Sequence, residues 1–381
     1  MEGAYNGTDY NCRQTRKPLK TPLAVTPLPT ESPTRPDARF AELSHWVGAE
    51  LGLESTRIVP ASADASFRRY FRVERPAGSL IVMDAPPERE NIEPYVRASA
   101  MLADIGVHVP RVLEQDRARG FLLLTDLGTR QYLPELKAGL NVDALYADAL
   151  GALLRIQALG GEHARELPPY DRARLEQEML LLPDWFIARH LGITIDAGLR
   201  SLLRAAFDFL LEEVLAQPRV FVHRDYHSRN LMICAGANPG ILDFQDAVCG
   251  AVAYDLVSLL RDLYIVWPSG RVRDWLIGYR RRALAAGVAA GTSDAEFLRW
   301  FDLAGVQRHL KVLGIFARLW HRDGKPVYLD DLPATLDYVL AASAQYPQLA
   351  ALREFLERHA EPLLAAANAR ARAGQRVTSP P

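Results

Sequence analysis

The stretch His223-Arg224-Asp225-Tyr226-His227-Ser228-Arg229-Asn230 puts a carboxylate and, five residues on, a carboxamide into one polar segment between two apolar ones, Val220-Phe221-Val222 and Leu231-Met232-Ile233. A polar loop entered from one strand and left by another is pinned at both ends. The chain then turns through Gly236 to Gly240, and Ile241-Leu242 reads as a third short strand with Asp243 at its end. Phosphoryl transfer to a hydroxyl asks for this set: a carboxylate to take the hydroxyl proton, and oxygen ligands that hold magnesium against nucleotide phosphates. The spacing H-x-D-x-x-x-x-N followed by a strand-end Asp assigns Asp225 as base and Asn230 and Asp243 as magnesium ligands, with a nucleoside triphosphate as donor, taken as ATP although the residues leave GTP open. Singly, such residues cap turns. In this order they point to a kinase. His223, at the strand end, is expected to orient the loop through hydrogen bonds, while Arg224 and His227 receive no role.

The elements that must position these residues follow from periodicity. With 381 residues the chain exceeds one compact core and suits two lobes with a cleft. Residues 1–37 hold Pro18, Pro22, Pro27, Pro29, Pro33 and Pro36 and no sustained apolar period, and read as a disordered tail without a secretory signal. Phe40, Leu43, Val47 and Leu51 mark a helix that Gly52 ends. Residues 66–73 and 80–83 read as a hairpin, followed by a helix through Tyr95, Ala98 and Leu102 and a strand at 121–124. Beyond Thr125 the text is helical over 142–159, 172–190, 196–216, 255–266, 270–286, 294–320 and 335–365, with strand only within 220–243. The expected fold class is α+β: a tail 1–37, a small N-terminal sheet lobe 38–125, a larger, mainly helical lobe 126–367 carrying catalysis and substrate, and a fraying terminus 368–381.

The chain is 49% hydrophobic and 24% charged, and no apolar run approaches the ~18 residues of a membrane span. Its net charge of -1 offers no field for a nucleic-acid backbone. Cys12, Cys234 and Cys249 lack CxxC spacing and leave an odd thiol, which suits a reducing cytoplasm.

His223-Arg224-Asp225 through Asn230, Ile241-Leu242-Asp243-Phe244-Gln245-Asp246 and Tyr254-Asp255-Leu256 resemble the aminoglycoside phosphotransferase and choline-kinase superfamily. The resemblance spans roughly 38–365 and implies a two-lobed, protein-kinase-like fold in which Asp255 supports the catalytic loop. A carboxylate at the start of a helix also favours the helix dipole. Four further segments, 64–73, 82–87, 255–262 and 307–314, resemble the bacterial anomeric N-acetylmuramate/N-acetylglucosamine kinases of cell-wall recycling. That likeness implies a small-molecule sugar substrate phosphorylated at its anomeric hydroxyl.

Such kinases normally place a lysine on the strand facing the phosphates. Residues 38–125 contain none, and the strand reads Val82-Met83-Asp84. Arg69, sharing a face with Phe67 and Phe71 while Arg68 and Arg72 point away, is the candidate replacement, or else part of a solvated basic strand. The turn 62–66 is placed like a phosphate loop although it has no glycine, with Ser66 offering a hydroxyl. Thr125-Asp126-Leu127-Gly128 resembles the family's lobe hinge, which implies nucleotide contacts at Asp126 and Gly128. For the acceptor, Trp185 offers an aromatic plane to a sugar or belongs to the core. Arg308 and Lys311, three apart on one helix, either receive an anion or form a solvated face opposite Val306, Leu310 and Leu313. An aminoglycoside phosphotransferase would want an acidic pocket instead, a choline or homoserine kinase would share the loop, and a pseudokinase would bind nucleotide without turnover. Intact Asp225, Asn230 and Asp243 speak against the last.

Overall fold

The computed structural model describes residues 37–53, 57–63, 67–289 and 291–374. The expected tail short of Asp37, the candidate Ser66 with most of its turn, and Cys12 lie outside the described residues.

The chain divides into two compact units, the first built from described residues up to Glu93 together with 110–126, the second from 94–109 and from Leu127 onward. The first carries a five-stranded antiparallel sheet in the order β1-β2-β3-β5-β4, with β1 Arg57–Ala63, β2 Arg69–Glu74, β3 Leu80–Asp84, β4 Val112–Asp116 and β5 Phe121–Thr125. The expected hairpin forms as β2 on β3, with Phe71 opposite Val82 and Arg69 opposite Asp84. Alternation then sets one apolar face: Phe71, Val73, Leu80, Val82, Phe121 and Leu123 pack on Leu43, Trp46 and Val47 of the preceding helical segment. That segment, read as one helix, is an α-helix at Ala38–His45 continued by a π-helical turn at Trp46–Glu50. Gly52, at φ 63°, ends it as expected.

The helix Glu93–Ile105, read with the small lobe, belongs through most of its length to the second unit. The reason is packing. Tyr95 lies 4.8 Å from the Phe244 ring, and Ile105 lies beside Gly160.

In the second unit the helix Asp294–His321 is the axis, buried at nearly every position from Phe297 to Gly314. Leu182–His190 lies against it as a π-helix, in which Leu191 N–H reaches Phe186 C=O at 3.0 Å. Gly314 permits the approach, because a Cβ there would stand 2.3 Å from the Leu181 carbonyl carbon. The stretch expected to fray is helical as far as Arg372, because Ala367 and Ala371 are buried and Asn368 donates to Leu329 C=O at 3.0 Å. Two short ribbons flank the candidate site residues: β6 Arg219–Val222 pairs with β9 Val248–Ala251, and β7 Leu231–Met232 pairs with β8 Gly240–Ile241. The strands flanking the polar loop therefore belong to different ribbons, and β9 had no reading of its own.

Candidate active site

The catalytic loop is closed by its own backbone. His227 N–H donates to Asp225 C=O at 3.0 Å, Asn230 N–H to His227 C=O at 2.9 Å, and Leu242 N–H to Asn230 C=O at 2.9 Å, tying the loop to the segment that carries Asp243. Tyr226 is fully buried and donates its hydroxyl to Ala149 C=O at 2.8 Å. Ser228 donates to buried Asp262 from its N–H at 2.9 Å and its hydroxyl at 2.5 Å. Leaving such buried donors unmade would cost about 1–3 kcal/mol each.

Two non-glycine residues here adopt left-handed backbone, Arg224 at φ 79° and Asp243 at φ 63°. Conformations of this kind persist where surrounding bonds over-determine them. At Arg224 the determinant is Asp255, fully buried, which accepts His223 N–H at 2.6 Å and Arg224 N–H at 2.9 Å. The support that the resemblance implied for Asp255 thus has a structural form. Burial pushes the Asp255 carboxyl up to about 7, against the pull of those two N–H groups.

His223 is also fully buried. Its Nδ1 accepts Asp225 N–H at 3.3 Å and its Nε2 meets Leu242 C=O at 3.0 Å. That pair of bonds requires the neutral Nε2–H tautomer. Burial agrees, pushing the ring down to about 4. His223 braces the loop: its Nε2–H is committed to Leu242 C=O and the ring carries no second proton at neutral pH.

Asn230 joins the three expected chemical groups. Its Nδ2 donates to Asp225 C=O at 3.0 Å and to Asp243 Oδ2 at 3.3 Å, and among the described residues its Oδ1 accepts no hydrogen bond. Gln245 Nε2 holds Asp243 Oδ1 at 2.7 Å. An Asn carbonyl oxygen beside a carboxylate is a hard-oxygen donor set suited to magnesium. No cluster of three or more His, Cys, Asp or Glu side chains forms a protein-only cage among the described residues. Magnesium in kinases takes one or two protein oxygens plus phosphate oxygens, so the residues present fit it.

The Asp225 carboxylate is 43% exposed and faces a cationic wall. Burial works to raise it, but Lys311, His227, Arg308 and Arg224 outweigh burial and hold it below the ordinary carboxylate range. Arg308 and Lys311 prove to be no solvated face; their side chains are 5% and 9% exposed. Arg308 Nη2 stands 3.7 Å from Asp225 Oδ1. Lys311 Nζ is 3.0 Å from Glu178 Oε2, 3.2 Å from the Tyr254 hydroxyl and 3.4 Å from the Tyr170 hydroxyl. Glu178 also takes Arg224 and the Tyr170 hydroxyl. Burial works to raise Glu178, and the Lys311 and Arg224 charges hold it below its ordinary value. Glu178, Tyr170 and Tyr254 were missed as site residues. Tyr254 directly precedes Asp255 in the sequence, whereas nothing local marks Glu178 or Tyr170.

Trp185 is not drawn into this cluster by any described contact; Arg189 covers its ring at 4.3 Å. In the first unit Arg69 donates to Asp84 through Nε at 3.0 Å and also binds Asp37, and Asp84 further takes Arg39 Nε at 3.0 Å. The strand position where a phosphate lysine would stand thus carries a buried carboxylate bridging two guanidiniums. A phosphate would compete with Asp37 and Asp84 for Arg69. Arg72 points the other way, as expected, to Asp126 Oδ2 at 2.6 Å. Gly128 is left-handed at φ 89°, two residues past the last residue of the first unit.

This architecture defines a kinase-type phosphotransferase fold, shared with choline kinase LicA from Streptococcus pneumoniae at TM-score 0.55 and 12% identity, over 79% of this chain and 99% of that one. A family model described as "Phosphotransferase enzyme family" matches residues 57–298. The chain is 48% identical over 330 residues to an N-acetylmuramate/N-acetylglucosamine kinase of Pseudomonas aeruginosa, covering 84% of this chain and 96% of the relative. It is 44% identical over 330 residues to the protein of the same name from Pseudomonas putida, again over 84% and 96%. The chain therefore belongs to the phosphotransferase enzyme family.

Proposed function

We propose that the chain is an ATP- and magnesium-dependent sugar kinase that phosphorylates the anomeric hydroxyl of N-acetylmuramate, N-acetylglucosamine or both, serving peptidoglycan recycling in the cytoplasm. Relatives with that name at 48% and 44% identity support the substrate. The observation that carries the reaction is the Asn230 amide, which joins the Asp225 backbone to the Asp243 carboxylate.

In this reading Asp225, ionised at neutral pH, hydrogen-bonds the attacking hydroxyl and accepts its proton as the oxygen–phosphorus bond forms. Asn230 Oδ1 and Asp243 would hold magnesium, which neutralises phosphate charge when bound. Asp255 and His223 keep the loop in register, so that Asp225 is presented without reorganisation. Arg69, Ser66, Asp126 and Gly128 are the proposed nucleotide contacts, and Trp185, Arg308 and Lys311 are proposed to line the acceptor side, where the sugar hydroxyl meets the phosphoryl group. The partners are small molecules, since a net charge of -1 offers nothing to a nucleic-acid backbone. No described helix is long and apolar enough to cross a membrane.

A panel with ATP and magnesium tests this: N-acetylmuramate, N-acetylglucosamine, kanamycin, choline and homoserine. Turnover of one or both amino sugars is expected. Turnover of kanamycin or choline alone would replace the assignment, and none at all would make the chain a nucleotide-binding protein.

A further inference from the structure

Three buried or nearly buried cations surround Asp225, and their partners differ. Arg224 and Lys311 both bond to Glu178. The Lys311 ammonium has its three donors matched by Glu178, Tyr254 and Tyr170. Arg308 has no such partner. Among the described residues its guanidinium makes no hydrogen bond, and its Nε is buried without an acceptor. The nearest carboxylate oxygen, Asp225 Oδ1, is 3.7 Å away, an ion pair too long for a hydrogen bond. The Tyr254 ring, 5.9 Å from the guanidinium carbon, is a long cation–π contact. Among the described residues its Nε is buried without an acceptor and its one ion-pair partner stands beyond hydrogen-bond reach, so the guanidinium keeps donors for an anionic group that enters beside Asp225.

The position of Arg308 decides which anion. A donor 3.7 Å from the base reaches the oxygen that the base hydrogen-bonds, and the phosphoryl oxygens that gather around that oxygen during transfer. A carboxylate on a sugar substituent lies several bonds from there.

We infer that Arg308 is a catalytic residue, its guanidinium donating to the transferring phosphoryl group beside Asp225, while Lys311 has its charge matched by Glu178. The inference rests on the phosphotransfer reading. In the step, the acceptor O–H proton passes to the Asp225 carboxylate and a new O–P bond forms. The bond from the γ-phosphorus to the bridging oxygen breaks, its electron pair leaving with ADP. Arg308 keeps its protons throughout and lowers the energy of the charge spread over the phosphoryl oxygens.

The test is steady-state kinetics of the full chain as wild type, Arg308→Ala and Arg308→Lys, with ATP, magnesium and each amino sugar. The Ala variant is expected to lose about 10²- to 10³-fold in kcat on both sugars, with sugar KM changed less than about 3-fold. Added guanidinium ion should restore part of the rate, which a packing defect would not allow, and the Lys variant should fall between. A kcat within about tenfold of wild type, no rescue, or a loss confined to the KM for N-acetylmuramate overturns the inference, the last making Arg308 a carboxylate-binding residue. Failure of the wild type to phosphorylate either sugar counts against the proposed substrate instead. The same kcat ratio is then read on whichever panel alcohol reacts, or on ATP hydrolysis alone.

Discussion

Replacing Glu178 by Gln removes the charge that Lys311 and Arg224 share. Glu178 and Lys311 side chains are 14% and 9% exposed, and their charged atoms lie 3.0 Å apart. At an effective dielectric near 20 the gross attraction is about 5.5 kcal/mol, most of which desolvation offsets. Breaking the pair is another matter, because Lys311 then loses its bonded carboxylate and Arg224 keeps only Asp246 at 3.8 Å among the described residues, a loss of about 3–5 kcal/mol. Urea unfolding followed by tryptophan fluorescence reads this as a lower midpoint at neutral pH. The sign with pH is fixed by the lowered folded-state value of Glu178: its contribution is present above the ordinary 4.5 and disappears as pH falls through the lower folded value. Wild type and variant should therefore converge in acid. The double variant Glu178→Gln/Lys311→Met, which leaves only Arg224 short of its Glu178 partner, should recover part of the loss. A single variant within about 1 kcal/mol of wild type, or a double variant less stable than the single one, would refute the reasoning.

Asp225→Ala should lose transfer by about 10²- to 10⁴-fold while isothermal titration still registers ATP binding, since the base acts on the acceptor; turnover near the wild-type rate would remove Asp225 from its role. Asp243→Ala should abolish the magnesium dependence of nucleotide affinity, and an unchanged dependence would transfer the metal to other ligands. His190 is buried, with its Nε2 2.8 Å from Asn368 Oδ1, and burial holds it at about 4. The unfolded chain then binds the extra proton between about 4 and 6.5, so stability falls as pH falls through that window, by about 2 kcal/mol at pH 5 for this ring. His190→Gln should shrink the drop in urea midpoint between pH 7 and pH 5, and an unchanged drop would assign the acid lability elsewhere.

The candidate site was legible because it is local. Asp225, Asn230 and Asp243 fall within one short stretch whose apolar flanks announce strands, and the structure joins them through one amide. The support from Asp255 needed the family likeness, because only the fold brings its helix start under His223 N–H. Glu178 was invisible, since its partners Lys311 and Arg224 lie far along the chain and on other elements. β1 hid behind Pro60, β4 behind its polar side chains, and β9 behind Gly250, which weakens any strand pattern. The π-helical turns were unreadable because their apolar spacing still resembles an α-helix over so few residues. Arg308 and Lys311 show the limit of single-helix reasoning: the opposite face is apolar, yet this face is buried as well, in a polar cluster that only tertiary packing assembles.

The central claim is that Asp225 activates one particular hydroxyl, the anomeric one. Phosphorus NMR of the product formed from N-acetylglucosamine, ATP and magnesium, run beside the methyl glycoside whose anomeric oxygen is blocked, tests it most directly. The account predicts a sugar 1-phosphate from the free sugar and no product from the glycoside, with both reactions silent in Asp225→Ala. Phosphate on another carbon, or equal turnover of the glycoside, would contradict it.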